Sequence, residues 1–251
     1  MALKRYVLLI VFCCIPTSLF SNKLYFPQVA FGGGYTTTVV LMNMGMTSVS
    51  SDFQVYAQTG ALLKNIPTTV PGGGSTRLSI ADPGQAIISS WAMLDAGTGT
   101  LQGIATFDLR STNGGLITTA GVSGLEAGDG FRLPVDVTAD GIAVNTGIAM
   151  VNVNPSNRIT VVLVLMPESG SSSVTGSDER FITLDSGHQI AEFVTSIWPR
   201  LAVGFRGTLS VSVVDFGVHD SLVLTGLSVK EGLLSALSVI PDNSCFGCWD
   251  Y

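Results

Sequence analysis

Two short runs in this chain carry the residue types of reactive chemistry. His219-Asp220-Ser221 holds the three side chains of a hydrolytic triad, and Cys245-Phe246-Gly247-Cys248 has the spacing of a redox or metal-binding pair. Neither run has the setting its chemistry needs. Triads are assembled in space, and neighbours along a strand point to opposite faces. The Gly-x-Ser-x-Gly elbow that presents a nucleophilic serine is absent. A redox Cys-x-x-Cys wants a strand-to-helix setting and a lowered thiol pKa, whereas this pair sits in a short tail with no helical pattern after it. Two cysteines also supply only half the ligands of a structural zinc site. The expectation is a local disulfide between Cys245 and Cys248 that pins the tail, with pairing to another chain left open.

The remaining candidates are weaker as chemistry. His188 follows a turn glycine and is expected to cap or edge that turn, and no second histidine stands at zinc-ligand spacing. Asp129, Asp136 and Asp140 flank one linker and offer oxygen ligands for calcium; solvated turn residues are the commoner fate of aspartate. Gly32 to Gly34 and Gly72 to Gly74 are not phosphate cradles, because neither precedes Lys-Ser/Thr or opens a helix. Glycine there supplies the positive φ of tight turns. No cofactor is expected. Tyr35, Tyr56, Trp91 and Trp198 offer a stacking platform for a sugar, against the usual burial of large aromatics in sandwich cores.

These residues must be positioned by strands. Thr36 to Met42 is a β-branched run, and Asp52 to Ala57 alternates with Phe53 and Val55 on one face. Thr68 to Val70, Ser75 to Ile80, Ile87 to Leu94, Leu101 to Leu109 and Leu116 to Val122 follow, separated by Pro-Gly, Asp-Pro-Gly and Asn-Gly turns. About seven evenly spaced short strands is the pattern of a β-sandwich. Gly124 to Gly130 reads as a linker. After it the plan returns: the strand ending Val39-Val40-Leu41-Met42-Asn43 has its partner in Ile148-Ala149-Met150-Val151-Asn152. Ile190 to Trp198 has room for one helical turn before Pro199 stops it. The run Ile159 to Met166 is apolar on both faces. Val162, Val164 and Met166 therefore need a cover, either the first domain or a self-association surface. The fold class expected is all-β: two tandem Ig-like antiparallel β-sandwich domains after an N-terminal signal peptide. The boundaries are 1–21, 22–126, 127–241 and a Cys-containing tail at 242–251.

Bulk numbers set the compartment. The chain is 46% hydrophobic and 12% charged, with a net charge of -6; soluble domains average about 25% charged residues. A basic nucleic-acid footprint is absent. Lys4 and Arg5, the apolar run Tyr6 to Ile15, Pro16 and the Leu19-Phe20-Ser21 cleavage site make a secretory signal. The apolar run is about half the ~20 residues of a membrane span, so no span is expected after cleavage. Removal of Lys4 and Arg5 leaves 10 basic against 18 acidic residues, a net of -8.

A resemblance adds to this reading. Phe26-Pro27-Gln28 followed by Gly32-Gly33-Gly34-Tyr35-Thr36-Thr37 and a strand ending in Asn43 resembles a pattern of bacterial secreted tandem β-sandwich proteins of poorly defined function. Gly187-His188 before a short apolar helix and Phe205-Arg206-Gly207-Thr208-Leu209 belong to the same pattern. The likeness spans most of residues 26 to 241. It departs at Met44, where proline is the family residue, and in the cysteine tail. It implies a paired sandwich and an exported address, not a chemistry. The function expected is an exported, non-enzymatic structural or adhesive module, secreted or held at the cell surface or in the periplasm. Its partners would be copies of itself or another surface protein. A carbohydrate-binding module with a glycan ligand is the alternative, and a hydrolase on a sandwich scaffold is the remotest reading.

Overall fold

The computed structural model describes residues 22 to 242 apart from 83, 98, 139–143, 169–177, 202–203 and 216. The signal segment and Cys245 and Cys248 lie outside the described residues. Eight strands fill the first half: β1 (Lys23–Phe31), β2 (Tyr35–Asn43), β3 (Val49–Ala57), β4 (Leu62–Val70), β5 (Ser75–Ile80), β6 (Ile88–Asp95), β7 (Leu101–Arg110) and β8 (Leu116–Ser123). The second half holds β9 (Gly130–Val137), β10 (Val144–Asn152), β11 (Ile159–Pro167), β12 (Asp178–Leu184) and β13 (Gln189–Phe193). The four-residue helix α1 (Val194–Ile197) follows, then β14 (Phe205–Val213), β15 (Leu222–Lys230), β16 (Leu233–Leu237) and β17 (Ile240–Pro241).

All strand pairs are antiparallel and form four sheets. The first half makes β1-β6-β3-β4 and β5-β2-β7-β8; the second makes β12-β11-β14-β9-β17 and β13-β10-β15-β16. Advancing each strand of the first half by eight reproduces the second half, with β17 added at one edge. In the first half β2 pairs with β5 in one sheet and β3 with β6 in the other. Here β1 lies beside β6, and β7 beside β2.

The alternation of side chains explains the layers. On β2, Thr37, Val39, Leu41 and Asn43 point inward and are buried, as period 2 requires. They meet Phe26, Phe53, Val55 and Leu94 from the facing sheet in one core. Phe131, Leu133, Ile148, Met150, Leu163, Trp198 and Phe205 build the other. Tyr25, Trp91, Val151 and Val223 form a third, smaller cluster on the opposite faces of β1, β6, β10 and β15. The sheet containing β1 therefore packs back to back on the sheet containing β10.

Three segments differ from the expectation. Strand β4 begins at Leu62, six residues before the predicted Thr68. Lys64, Asn65 and Pro67 hide it in the sequence; Pro67 is tolerated because β4 is a sheet edge and needs no ladder donor on its open side. The Phe-Pro entry is a full strand, β1, whose register shifts between Phe26 and Val29, around Pro27. The predicted linker is bound at both ends: Leu125 exchanges two hydrogen bonds with Tyr25, at 2.9 and 2.8 Å, and Gly128 two with Leu222, at 2.9 and 3.0 Å. The turn between β1 and β2 needs its glycines, with φ of 75°, 57° and 88° at Gly32, Gly33 and Gly34.

Candidate functional site at the seam between the halves

The same two polar brackets hold both halves. Thr37 Oγ1 donates to Ala30 O at 2.7 Å and accepts from Ala30 N–H at 3.1 Å, tying β2 to β1 across the sandwich. Thr146, 109 positions later, does the same with Asp136 at 3.3 and 3.0 Å. Asn43 Nδ2 donates to Thr47 O at 2.7 Å and Val70 O at 3.2 Å, and its Oδ1 accepts from Gly45 N–H at 2.9 Å. Asn152, again 109 positions on, donates to Asn157 O at 2.8 Å and Leu184 O at 3.0 Å and accepts from Asn154 N–H at 2.9 Å. Buried carbonyls and amides need partners, and a short amide side chain can serve both kinds. The sequence signal for these residues was present: an Asn closing two β-branched runs at equal spacing.

Between the halves, Trp91 and Tyr56 stack with ring centroids 4.5 Å apart and planes 16° from parallel. Trp91 Nε1 donates to Gly187 O at 2.9 Å across the seam, and the indole is 4% exposed. Gln189 enters the first half. Its Nε2 donates to Pro27 O at 2.5 Å, Ser90 O at 3.0 Å and Gln28 Oε1 at 3.2 Å, and its backbone N–H to Gln58 O at 2.8 Å. Tyr25, buried in the same cluster, has its phenol pushed up to about 12, first by burial and then by the nearby Asp95 carboxylate. Burial also raises Tyr56. Gln189 was not among the predicted residues; a polar side chain that packs between domains leaves no periodic signal.

The other predicted aromatics lie apart from this pair. Tyr35 is half-buried at the start of β2 and lines a cleft of about 280 Å³ with Ile87 and Phe193. Trp198 is 1% exposed in the second core, with the Arg180 guanidinium 5.9 Å from its ring centroid. Val162 and Val164 are buried and Met166 is half-buried on the face of β11 turned away from the second core. They pair in register with Ser212, Ser210 and Thr208. Ser210 and Ser212 are buried there with their hydroxyl oxygens unpartnered.

His219 and Ser221 face different partners. His219 Nδ1 lies 3.0 Å from Asp129 Oδ2, and Asp129 Oδ1 accepts from the Asp220 N–H at 2.6 Å. Ser221 Oγ donates to His219 O at 2.9 Å and accepts from Asn154 Nδ2 at 3.2 Å. The serine hydroxyl is thus committed to a turn and not to the imidazole. Asp136 pairs with Arg206 at 3.7 Å, so Asp129 and Asp136 serve different partners; Asp140 lies outside the described residues. His188 N–H donates to Asp185 O at 3.0 Å within the turn, and its carbonyl accepts from Asn152 N–H at 3.0 Å beside the β10–β13 ladder. Among the described residues no three His, Cys, Asp or Glu side chains gather to hold a metal ion. No helix among them is long and apolar enough to cross a membrane.

A cleft of about 800 Å³ opens where the linker joins the halves. Met42, Met44, Gln102, Glu126, Asp129 and Asp220 are among its lining residues. The fold defines the class: an all-β protein of sandwiched antiparallel sheets. No family model matches the chain, and no curated protein matches it.

Proposed function

We propose that the chain is an exported, non-enzymatic structural or adhesive protein of the cell surface or of an extracellular assembly. Two sandwich domains, divided near residue 126, would act as one body. The observation that carries this reading is the use made of the polar side chains. Asn43, Asn152, Thr37, Thr146, Gln189, Ser221 and Asp129 all serve backbone or turn contacts. Work then falls to surfaces and sheet edges. Exposed apolar side chains stand on two edge strands, Leu62 and Leu63 on β4 and Phe181 on β12, whereas the edges of β8 and β16 lie against each other, with Leu234 N–H donating to Thr118 Oγ1 at 2.8 Å. Unpaired edges with such side chains support strand addition to another chain. Export and a bacterial source rest on the signal-like start and the resemblance carried by Phe26 to Thr37 and Phe205 to Leu209.

The test is the state of the purified chain over a range of concentrations, by light scattering after size exclusion and by negative-stain electron microscopy. Oligomers or fibres that vanish on Phe181→Lys support the reading. A monomer at every concentration that binds a glycan array, with binding lost on Tyr35→Ala in the cleft it lines with Ile87 and Phe193, would replace it with the carbohydrate-binding reading.

A further inference from the structure

We propose that Met42, Met44 and Met46 form a thioether site for a soft monovalent cation, copper(I). The three stand at alternate positions in Met42-Asn43-Met44-Gly45-Met46. Extended backbone puts residues i and i+2 on one face about 6.6 Å apart, within reach of two long, unbranched thioethers converging on one ion. Met42 and Met44 line the same cleft. Met46 follows after the bend at Gly45.

Two of these side chains are exposed in a way that packing does not account for. Met44 is 66% and Met46 93% exposed, although methionine ranks among the residue types most often buried. The backbone beneath them is fixed. Asn43 brackets the bend, Met44 N–H donates to Thr100 O at 2.9 Å, and Gly73 N–H donates to Gly45 O at 2.7 Å. A Cβ on Gly72 would come within 2.0 Å of Met46 O, so the neighbouring turn presses on this loop. The sulfurs are therefore presented from a rigid base.

The second half shows that the bracket itself does not need sulfur. At the positions 109 residues later stand Val151, Val153 and Pro155. Val151 and Val153 pack in the seam around the matching Asn152 bracket. Both loops reach solvent, but the residue after the Asn is half-buried as Val153 in the second copy and exposed as Met44 in the first. Thioether ligands are soft and neutral, which selects copper(I) over calcium, magnesium or zinc. The carboxylates of Glu126, Asp129 and Asp220, which line the same cleft, add a field that favours a cation.

The experiment uses the full chain with Cys13, Cys14, Cys245 and Cys248 each replaced by serine, so that no thiol competes. Silver(I) is the air-stable probe; copper(I) is supplied anaerobically under ascorbate against a chromogenic chelator. The readout is calorimetry together with the methyl NMR signals of the seven methionines. The expected result is one silver(I) per chain and joint shifts of the Met42, Met44 and Met46 methyls. Affinity should fall about tenfold or more on Met44→Leu and vanish on the triple leucine change, with calcium and zinc giving no shift. Leucine conserves volume, and the spectra of the unsubstituted methionines report on folding. The proposal is overturned if silver(I) leaves those methyls unmoved, if each shifts independently at its own concentration, or if the triple variant binds as well. The last outcomes would leave an apolar contact loop only.

Discussion

The two halves share a strand order and two polar brackets, yet they close their cores differently. Every partly buried side chain packed against the second core comes from the second half, from Ile182 to Val239. The first core is also packed by Leu227 and Leu234, which belong to β15 and β16 of the second half. In addition, α1 delivers Trp198 into the second core, while the described residues between β5 and β6 hold no helix. One half seals itself; the other is finished by its neighbour. A repeated framework therefore need not yield two equal domains, because stability depends on how the open ends are covered rather than on the ladder alone.

The sharpest way to break that contrast is Trp198→Ala. The indole is among the largest fully buried side chains, and truncation of a buried Trp costs about 3–5 kcal/mol. The loss should appear first in the second half and then in the first, since Leu227 and Leu234 are presented by second-half strands. Hydrogen exchange resolved along the chain checks the order. Protection lost from β2 and β7 before β11 and β14 would contradict it.

Next come the matched asparagines. Asn43→Ala and Asn152→Ala each remove two donations to backbone carbonyls, one of them buried (Val70 O and Leu184 O), and one acceptor. Leaving buried backbone groups unsatisfied should cost about 3 kcal/mol at each site. The sites occupy different halves and share no hydrogen-bond partner, so the double variant should show the sum in urea unfolding. A strongly sub-additive result would mean that the two brackets are coupled energetically through the seam.

A smaller effect separates the seam from the cores. Trp91→Phe keeps an aromatic face against Tyr56 but deletes the donor to Gly187 O. The expected loss is about 1 kcal/mol, or roughly 2–4 °C in Tm for a chain of this size. Limited proteolysis of the Gly124 to Gly130 connection should accelerate while both cores stay folded. If the connection resists protease as before, Gln189 and the Leu125 and Gly128 bridges hold the seam without the indole.

Most of the strands were legible because period-2 alternation is written directly into runs such as Asp52 to Ala57, and the turns because Pro-Gly and Asn-Gly have few other uses. The all-strand fold followed from those alone. Strand β4 was truncated in the reading because edge positions accept Lys64, Asn65 and Pro67, which lack strand propensity. The sites were less legible. Tyr35, Tyr56, Trp91 and Trp198 look alike as letters, but only packing decides that Tyr56 and Trp91 meet at the seam while Trp198 is buried in the second core. Gln189 and Thr146 gain their roles from partners 162 and 10 positions away. A pattern read along one chain cannot contain such pairings. The doubled Asn and Thr are the exception, because repetition itself marks them.

The last effect concerns Tyr25, leaves stability at pH 7 almost untouched and is confined to alkaline solution. Its phenol is raised from 10.0 to about 12 in the folded chain, by burial first and by Asp95 second. The folded state thus holds its proton more tightly than the unfolded chain. That contribution is complete below pH 10 and is lost as pH rises from about 10 to about 12, because there the unfolded state releases a proton the folded state keeps. Tyr56 is shifted in the same direction by burial, so the alkaline fall should have two components. Tyr25→Phe should flatten the larger one, while stability at pH 7 changes little, since the ring still fills the cluster with Trp91, Val151 and Val223. Thermal melts from pH 8 to 12, followed with the 295 nm absorbance of tyrosinate, check both parts. A slope unchanged by Tyr25→Phe would place the alkaline sensitivity away from the seam and reduce Tyr25 to a packing role there.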